Sequence, residues 1–254
     1  MIKAAFAPQR WQPIIDLLRP AIRIWPKRSS ESPIASRYGG LPAAPRSWKW
    51  PRLEDEEPLV FLAQINCAEL GSLAASLNLP NQGILSFFGH PEDINGAGAN
   101  GGAVYFFKDL DKLALRRSPI KEDRPPITCD MSFYETNEVP DPASAAFKGL
   151  GITREHHRQE WDSYYDLYMA LARFGFDAVG EKDEYNDSKL LGWPNLVQNE
   201  FDLSPYRLLL QLGSYHDGTE RCWWGPGGLL YFTMKPEHLA RFEFNRAELE
   251  VQCT

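Results

Sequence analysis

The sequence predicts a β-rich α+β protein, a single domain with an internally duplicated, mainly antiparallel sheet core and a few packing helices. Short apolar segments rich in branched and aromatic residues recur along the chain, one order of segments occurs twice, and one long stretch has helical spacing. A chain of 254 residues is long enough to bury a large core without a metal or a disulfide.

The N-terminal segment, residues 10–24, predicts an amphipathic helix. Apolar residues recur there at helical spacing from Ile14 to Ala21, and Pro20 is expected to kink or end the helix. Residues 25–58 follow without any period and are rich in Pro, Arg, Ser and Trp. We interpret them as a long ordered loop that closes in an acidic run on the surface.

The first repeat-like half is predicted at residues 36–110. It contains predicted strands at 59–66, 83–89 and 103–107, and a short helix through 69–77. The first of these strands is almost wholly apolar, which is typical of a strand that is covered on both faces.

The central part, residues 111–189, is predicted to hold a Pro-rich loop and the longest helix of the chain. One strand is expected around 127–134. The helix is predicted over 153–174, with Thr153 capping its start and Gly175 its end. Its apolar face is wide, so we expect it to lie against a sheet.

The second repeat-like half is predicted at residues 190–254. Residues 206–214 and 227–234 have the composition of strands. Residues 235–241 predict one or two helical turns, and 241–252 predicts a strand interrupted by a turn.

The two halves share one order of features. Each has a Gly-x-Pro sequence, then an apolar strand that contains one glutamine, then a glycine followed by an aromatic strand. Gly40 and Gln64 are 24 residues apart, and Gly192 and Gln211 are 19 apart. A duplicated segment would pack as two related halves of one sheet system, whereas a chance match of short apolar strands is the alternative.

The two glutamines and several loop tryptophans are the candidate contact residues. A buried amide without a partner costs about 1–3 kcal/mol, so Gln64 and Gln211 must be hydrogen-bonded. Each amide either pins a neighbouring segment such as the Gly-x-Pro loop, or faces a groove and contacts a ligand. Tryptophans in loops either anchor a partner or close the edges of a β-rich core; here they are Trp48, Trp50, Trp193, Trp223 and Trp224.

The sequence contains fragments of catalytic motifs, but each lacks the neighbouring residues or elements that its chemistry needs. Gly96–Gly101 satisfies GxGxxG, but a strand follows it where a dinucleotide site needs a helix, so we interpret it as a hairpin loop. His216, Asp217 and Cys222 suggest a nucleophilic thiol, yet the Asp-Gly pair is a common turn. The four cysteines are scattered and form no zinc spacing. We therefore predict no catalytic residue, no metal and no cofactor.

Charge and hydropathy limit the partners. The formal net charge is −7, whereas a nucleic-acid surface needs concentrated Lys and Arg, so no direct nucleic-acid binding is expected. An acidic surplus suits a basic protein partner, because complementary charge speeds encounter. No segment approaches the ~20 apolar residues of a membrane span and the N-terminus lacks a signal peptide. A cytoplasmic protein without membrane contact is expected.

Six segments together resemble one protein family. They are RYGGLP (37–42), FLAQIN (61–66), GILSFF (83–88), LLGWPNLVQ (190–198), LLLQL (208–212) and GGLLYFTM (227–234). In this order they resemble the YwqG-like family of bacterial proteins of unknown function. The resemblance implies a β-rich α+β fold with a duplicated core, and it supplies no reaction.

Two functional hypotheses follow. The first is a non-catalytic protein-binding protein, and the resemblance implies that it is an immunity protein neutralising a bacterial toxin. The alternative is an enzyme or small-molecule-binding protein with a site between the two halves, near Gln64 and Gln211.

Overall fold

The computed structural model describes residues 6–27, 32–53, 57–89, 101–120, 128–172, 187–198, 204–213, 215–216, 220–222 and 228–253. The strands are β1 (Arg19–Lys27), β2 (Arg37–Tyr38), β3 (Ala43–Pro45), β4 (Val60–Asn66), β5 (Ile84–Gly89), β6 (Gly102–Phe107), β7 (Leu113–Leu115), β8 (Cys129–Glu138), β9 (Lys189–Leu191), β10 (Arg207–Gly213), β11 (Tyr215–His216), β12 (Glu220–Cys222), β13 (Leu229–Met234) and β14 (Glu248–Gln252). The helices are α1 (Pro8–Asp16), α2 (Ser72–Ser76), α3 (Ala145–Lys148), α4 (Arg158–Ala172) and α5 (Pro236–Ala240).

Ten of these strands form one antiparallel sheet in the order β14-β13-β10-β9-β1-β8-β2-β4-β5-β6. Its centre is the long pair of β1 and β8, which runs from Arg19 opposite Glu138 to Lys27 opposite Asp130. Two small sheets, β3 with β7 and β11 with β12, lie outside it. The α+β class with a large antiparallel sheet, predicted from the sequence, is confirmed.

Alternating side chains of each strand point to the two faces of this sheet. On the central strands, Ile22, Ile24 and Met131 belong to the largest core cluster. Arg23 and Glu138 lie at the alternate positions and are buried on the opposite face. We call the first the inner face and the second the outer face.

The sheet curls round its inner face. The rings of Phe87 and Phe232, from the two ends of the sheet, have centroids 5.1 Å apart. Gly102 on β6 lies so close to β14 that an added Cβ would be 2.5 Å from Cβ of Leu249. Because β6 and β14 are the end strands, a side chain at Gly102 would force these ends apart.

The two sides of the sheet have the same local geometry. Gln64 lies opposite Ser86, and Gln211 lies opposite Tyr231 at the equivalent position of the other side. Both strand pairs have an irregularity one to three residues before the glutamine. The residues that enter the two Gly-x-Pro loops have matching positive φ angles, 57° and 75° at Gly39 and Gly40 against 59° and 73° at Leu191 and Gly192.

The two sides also exchange one strand. In chain order β1 precedes β2, and β8 precedes β9. In the sheet, however, Ala21–Arg23 of β1 pairs with Lys189–Leu191 of β9, and β8 pairs with β2. Each side therefore takes its innermost strand from the other part of the chain, so neither forms its part of the sheet alone.

The predicted helix over residues 10–24 is wrong in its second part. Helix α1 ends at Asp16, and Arg19–Lys27 forms β1 at the centre of the sheet. Ile22 and Ile24 alternate with Arg23, and such β-branched side chains pack well on a pleated surface. The interpretation of the following residues as pure loop is also wrong at Arg37–Tyr38 and Ala43–Pro45, which form β2 and β3.

The long helix begins five residues after the predicted Thr153 and packs against β8. Helix α4 spans Arg158–Ala172, and Thr153 accepts a hydrogen bond from the His156 N–H in the turn before it. Its buried face packs with α1, α3 and Val139 in a second apolar cluster. In the described part of the chain, every helix is too short or too polar to cross a membrane.

Candidate functional site

Gln64 fixes the first Gly-x-Pro loop to the sheet. Its Oε1 accepts a hydrogen bond of 3.0 Å from the N–H of Ala43, the residue after Pro42. Its Nε2 donates to the carbonyls of Ala35 and Pro33 at 2.7 and 3.1 Å. The side chain is fully buried, so a partner reaches it only if the loop moves away.

Gln211 does the same for the second loop. Its Oε1 accepts a hydrogen bond of 2.9 Å from the N–H of Asn195, the residue after Pro194, and its Nε2 donates to the carbonyl of Asp187. This side chain is also fully buried. Both amides therefore pin the Gly-x-Pro loops, which is the first of the two interpretations that the sequence left open.

Trp48 and Trp50 form an aromatic cluster on β5 and β6. The ring of Trp48 lies 5.4–6.1 Å from the rings of Trp50, Phe88, Tyr105 and Phe107. Trp50 donates its Nε1–H to the carbonyl of Leu59 at 2.7 Å. Both tryptophans are half-buried, so they close this part of the surface and leave some of their area exposed.

Other candidates from the sequence lie outside the described residues. They are Trp223 and Trp224, most of the loop Gly96–Gly101, Asp217, and the side chains of His216 and Cys222.

Trp193 lies at a cavity of about 350 Å³ beside the start of β1 and β10. Apolar wall residues come from α3 and two proline-containing loops: Ala145, Ala146, Pro194 and Pro205. Polar groups at its rim are Arg19, Asp141, Ser144, Tyr206 and Arg207. A concave site that combines apolar walls with polar groups has the form of a binding pocket.

Three contacts hold Trp193 in place. The Arg19 guanidinium lies 3.2 Å from the centroid of its ring. The indole Nε1–H donates to the carbonyl of Leu17 at 2.8 Å, and the backbone N–H donates to Oε2 of Glu138 at 3.0 Å. The cavity wall is therefore preformed.

A buried ionic cluster of Arg23, Glu138, Asp187 and Lys189 lies behind this wall. Lys189 Nζ is 2.9 Å from Oε2 of Glu138, and Arg23 Nη2 is 2.8 Å from its Oε1. Arg23 also lies 3.9 Å from the partly exposed Asp187. Burial lowers the pKa of Lys189 to about 8, although the attraction of Glu138 opposes this effect.

The ionic cluster distinguishes the two sides of the sheet. Opposite Lys189 stands Arg23, whereas opposite Arg37, the equivalent of Lys189, stands Asp130. The side with Arg37 thus pairs a cation with an anion, whereas the side with Lys189 pairs two cations. Glu138 supplies the missing negative charge, and no pattern in the local sequence identified it.

Asp141 at the cavity rim already has hydrogen-bond donors on both oxygens. Ala143 N–H donates to Oδ1 at 2.7 Å, and Tyr168 O–H donates to Oδ2 at 2.9 Å. Burial raises the pKa of Tyr168, and the charge of Asp141 adds to this effect. The residues that the structure describes include no cluster of His, Cys, Asp and Glu side chains suited to a metal ion.

Comparison with known proteins gives one match. Residues 36–253 match the model of a family described as a domain of unknown function, DUF1963. The matched part contains both Gly-x-Pro loops, both glutamine strands and β8, whereas β1 precedes it. No curated protein matches the chain.

Proposed function

This chain belongs to the DUF1963 family, and we propose that it is a non-catalytic protein-binding protein. Within the family we propose that it is a YwqG-like protein. Support comes from the order of its segments, with a Gly-x-Pro loop, a glutamine strand and a glycine-aromatic strand in each half.

The observation that carries the proposal is the preformed cavity beside Trp193. Tryptophan and arginine are enriched among the residues that dominate binding energy at protein interfaces. Here the two stack on one another at the cavity, and Trp193 is held by two further hydrogen bonds. A wall that is already ordered loses little entropy when a partner inserts a side chain.

Binding is favoured over catalysis by the state of the carboxylates near the cavity. A general base must lie within hydrogen-bond reach of the proton that it removes. Asp141 accepts from Tyr168 and Ala143, and Glu138 is held by Lys189 and the Trp193 N–H. Both carboxylates are thus engaged in maintaining the structure.

We further propose that the partner is a basic bacterial toxin and that the chain acts as its immunity protein. The net charge of −7 supports a basic partner, because opposite charges accelerate encounter at long range. The resemblance to YwqG-like proteins supports the immunity role.

The test fills the cavity and measures partner capture. Ala146→Trp places a large ring in the cavity, and Ala143→Trp is the matched control on an exposed position nearby. In cells that make the toxin encoded beside the gene, the tagged wild type and Ala143→Trp should capture it and protect growth. Ala146→Trp should do neither although it folds; equal capture by Ala146→Trp contradicts the proposal.

Small-molecule binding is the second candidate, and the cavity volume of about 350 Å³ favours it. The cavity lies beside α3 and β10. A ligand site near both glutamines is not supported, because both amides are fully buried. Native mass spectrometry of the purified chain tests this candidate. A retained small ligand that Ala146→Trp loses supports it, and a bare chain mass contradicts it.

A further inference from the structure

We propose that the cavity beside Trp193 binds a carboxylate group of the protein partner. This inference rests on the proposed function and adds the chemistry of the group that enters. The recognising residues are Arg19 and Arg207, which lie at the starts of β1 and β10 on the cavity rim.

The ionisable side chains at the cavity leave an excess of positive charge. Among the described residues that line the cavity, Arg19 and Arg207 face one carboxylate, Asp141. Both oxygens of Asp141 already accept hydrogen bonds. The ionic cluster behind the wall is balanced, with Arg23 and Lys189 against Glu138 and Asp187. The two rim arginines therefore determine which charge the cavity accepts.

Arg19 has donor capacity to spare. Its Nη1 is buried and has no acceptor among the residues that the structure describes. Buried donors are rarely left without an acceptor in native proteins. Trp193 covers one face of the guanidinium plane, and the edge of a planar guanidinium can bind a carboxylate with two parallel hydrogen bonds.

Arg207 provides the second cation. It is exposed, and within the described part of the chain it forms no ion pair. The hydroxyl of the neighbouring Tyr206 already has an acceptor, since it donates to Glu248 at 3.1 Å. An incoming anion thus meets two guanidinium groups without displacing an existing ion pair.

The walls determine what carries the carboxylate. Ala145, Ala146, Pro194 and Pro205 offer apolar contact for short methylene groups. An acidic side chain fits this combination, whereas Lys and Arg would meet like charge. The overall charge of −7 still attracts a basic partner at long range, and the two arginines select an acidic residue within that partner's interface.

The test uses the folded full-length chain and short peptides. The probes are acetyl-Ala-Glu-Ala-amide, the neutral acetyl-Ala-Gln-Ala-amide, acetyl-Ala-Ala-Ala with a free C-terminus, and inorganic phosphate. Binding is followed by NMR at the indole N–H of Trp193, which Trp193→Phe identifies. The variants are Arg19→Gln, Arg19→Lys and Arg207→Gln, with Arg158→Gln on exposed α4 as the control.

We expect the glutamate peptide to bind at least tenfold more tightly than the glutamine peptide. Arg19→Gln should weaken the affinity for the glutamate peptide at least tenfold and Arg207→Gln severalfold. Arg158→Gln should leave this affinity unchanged. If Arg19→Gln does not fold, Arg19→Lys should still bind the glutamate peptide more weakly than wild type does. Lysine keeps the positive charge but lacks the planar guanidinium that donates two parallel hydrogen bonds. Tighter binding of the free C-terminus than of the glutamate peptide would assign the carboxylate to a chain end.

Equal binding of the neutral peptide, undiminished binding by Arg19→Gln, or binding of phosphate alone would overturn the carboxylate assignment. The proposed function fails in a different way. If the glutamate peptide binds as expected but Ala146→Trp still captures the partner, the cavity is not the partner's site. If Ala146→Trp abolishes capture and Arg19→Gln does not, the function stands and the carboxylate inference falls.

Discussion

Lys189 Nζ lies 2.9 Å from Oε2 of Glu138, and the same oxygen accepts the backbone N–H of Trp193. This one carboxylate thus joins the buried charges of the sheet to the loop that forms the cavity wall. Its other oxygen lies 2.8 Å from Arg23. Glu138 therefore links the charged residues of the central strands to Trp193 in the cavity wall.

Replacing Glu138 by Gln should destabilise the protein strongly. Arg23 and Lys189 would remain buried without their shared anion, and removing one partner from such a cluster costs about 3–5 kcal/mol. Urea unfolding measures the free energy of unfolding. Glu135→Gln is the control, because Glu135 is exposed on the same strand and should change the value by less than about 0.5 kcal/mol. Similar losses in the two variants would contradict the central role of Glu138.

The buried lysine should make stability rise with pH. Burial puts the folded-state pKa of Lys189 at about 8, below its ordinary 10.5. Between these values the unfolded chain binds more protons than the folded one, so the free energy of unfolding increases as pH rises. The gain is on the order of 3 kcal/mol at most, from 1.36 kcal/mol for each pKa unit.

Lys189→Met isolates this effect. The buried phenols of Tyr164, Tyr168 and Tyr231 have raised pKa values and act in the opposite direction above about pH 10. Because wild type and variant share them, the difference between the two unfolding free energies reports Lys189. The unfolding free energy of wild type minus that of Lys189→Met should increase between about pH 7.5 and pH 10. A difference that stays constant with pH would show that Lys189 keeps its ordinary pKa.

Gln64→Leu and Gln211→Leu should each cost about 3 kcal/mol, because each leaves buried backbone groups of its loop without a partner. The two amides bind different loops and share no hydrogen-bond partner. Their effects should then add within about 0.5 kcal/mol in the double variant. Gln12→Leu on exposed α1 is the control, and strongly non-additive losses in urea unfolding would contradict independent loops.

Cys67 should be inert in the folded protein. Its side chain is fully buried, and burial raises the pKa of its thiol to about 12, so almost no thiolate forms at neutral pH. Cys253 is half-buried and should react with a maleimide at least ~100-fold faster. Mass mapping of the labelled sites checks this. The rates should converge in denaturant, and early labelling of Cys67 would show that its surroundings open.

The strands with self-contained apolar runs could be predicted from the sequence. β4, β5, β10 and β13 begin within two residues of the predicted ranges 59–66, 83–89, 206–214 and 227–234. Each is mostly apolar and is bounded by turn residues. In such segments the local pattern and the tertiary environment favour the same conformation.

β1 and the ionic cluster could not be predicted because their partners are distant in sequence. The alternation of Ile22 and Ile24 competes with helical spacing that continues from α1, and only pairing with residues 130–138 decides between them. Likewise, Glu138 lies 51 residues from Lys189. Nothing in the neighbouring residues indicates that these two charges meet.

The exchange of β1 and β8 has a consequence for how the chain is made. β1 leaves the ribosome long before either neighbour, since it ends at Lys27 while β8 starts at Cys129 and β9 at Lys189. Until then the nascent chain carries an unpaired strand whose apolar side chains, among them Ile22 and Ile24, are open to aggregation. We expect the sheet to close only near the end of translation, so a polypeptide stalled before β9 would depend on chaperones to stay in solution.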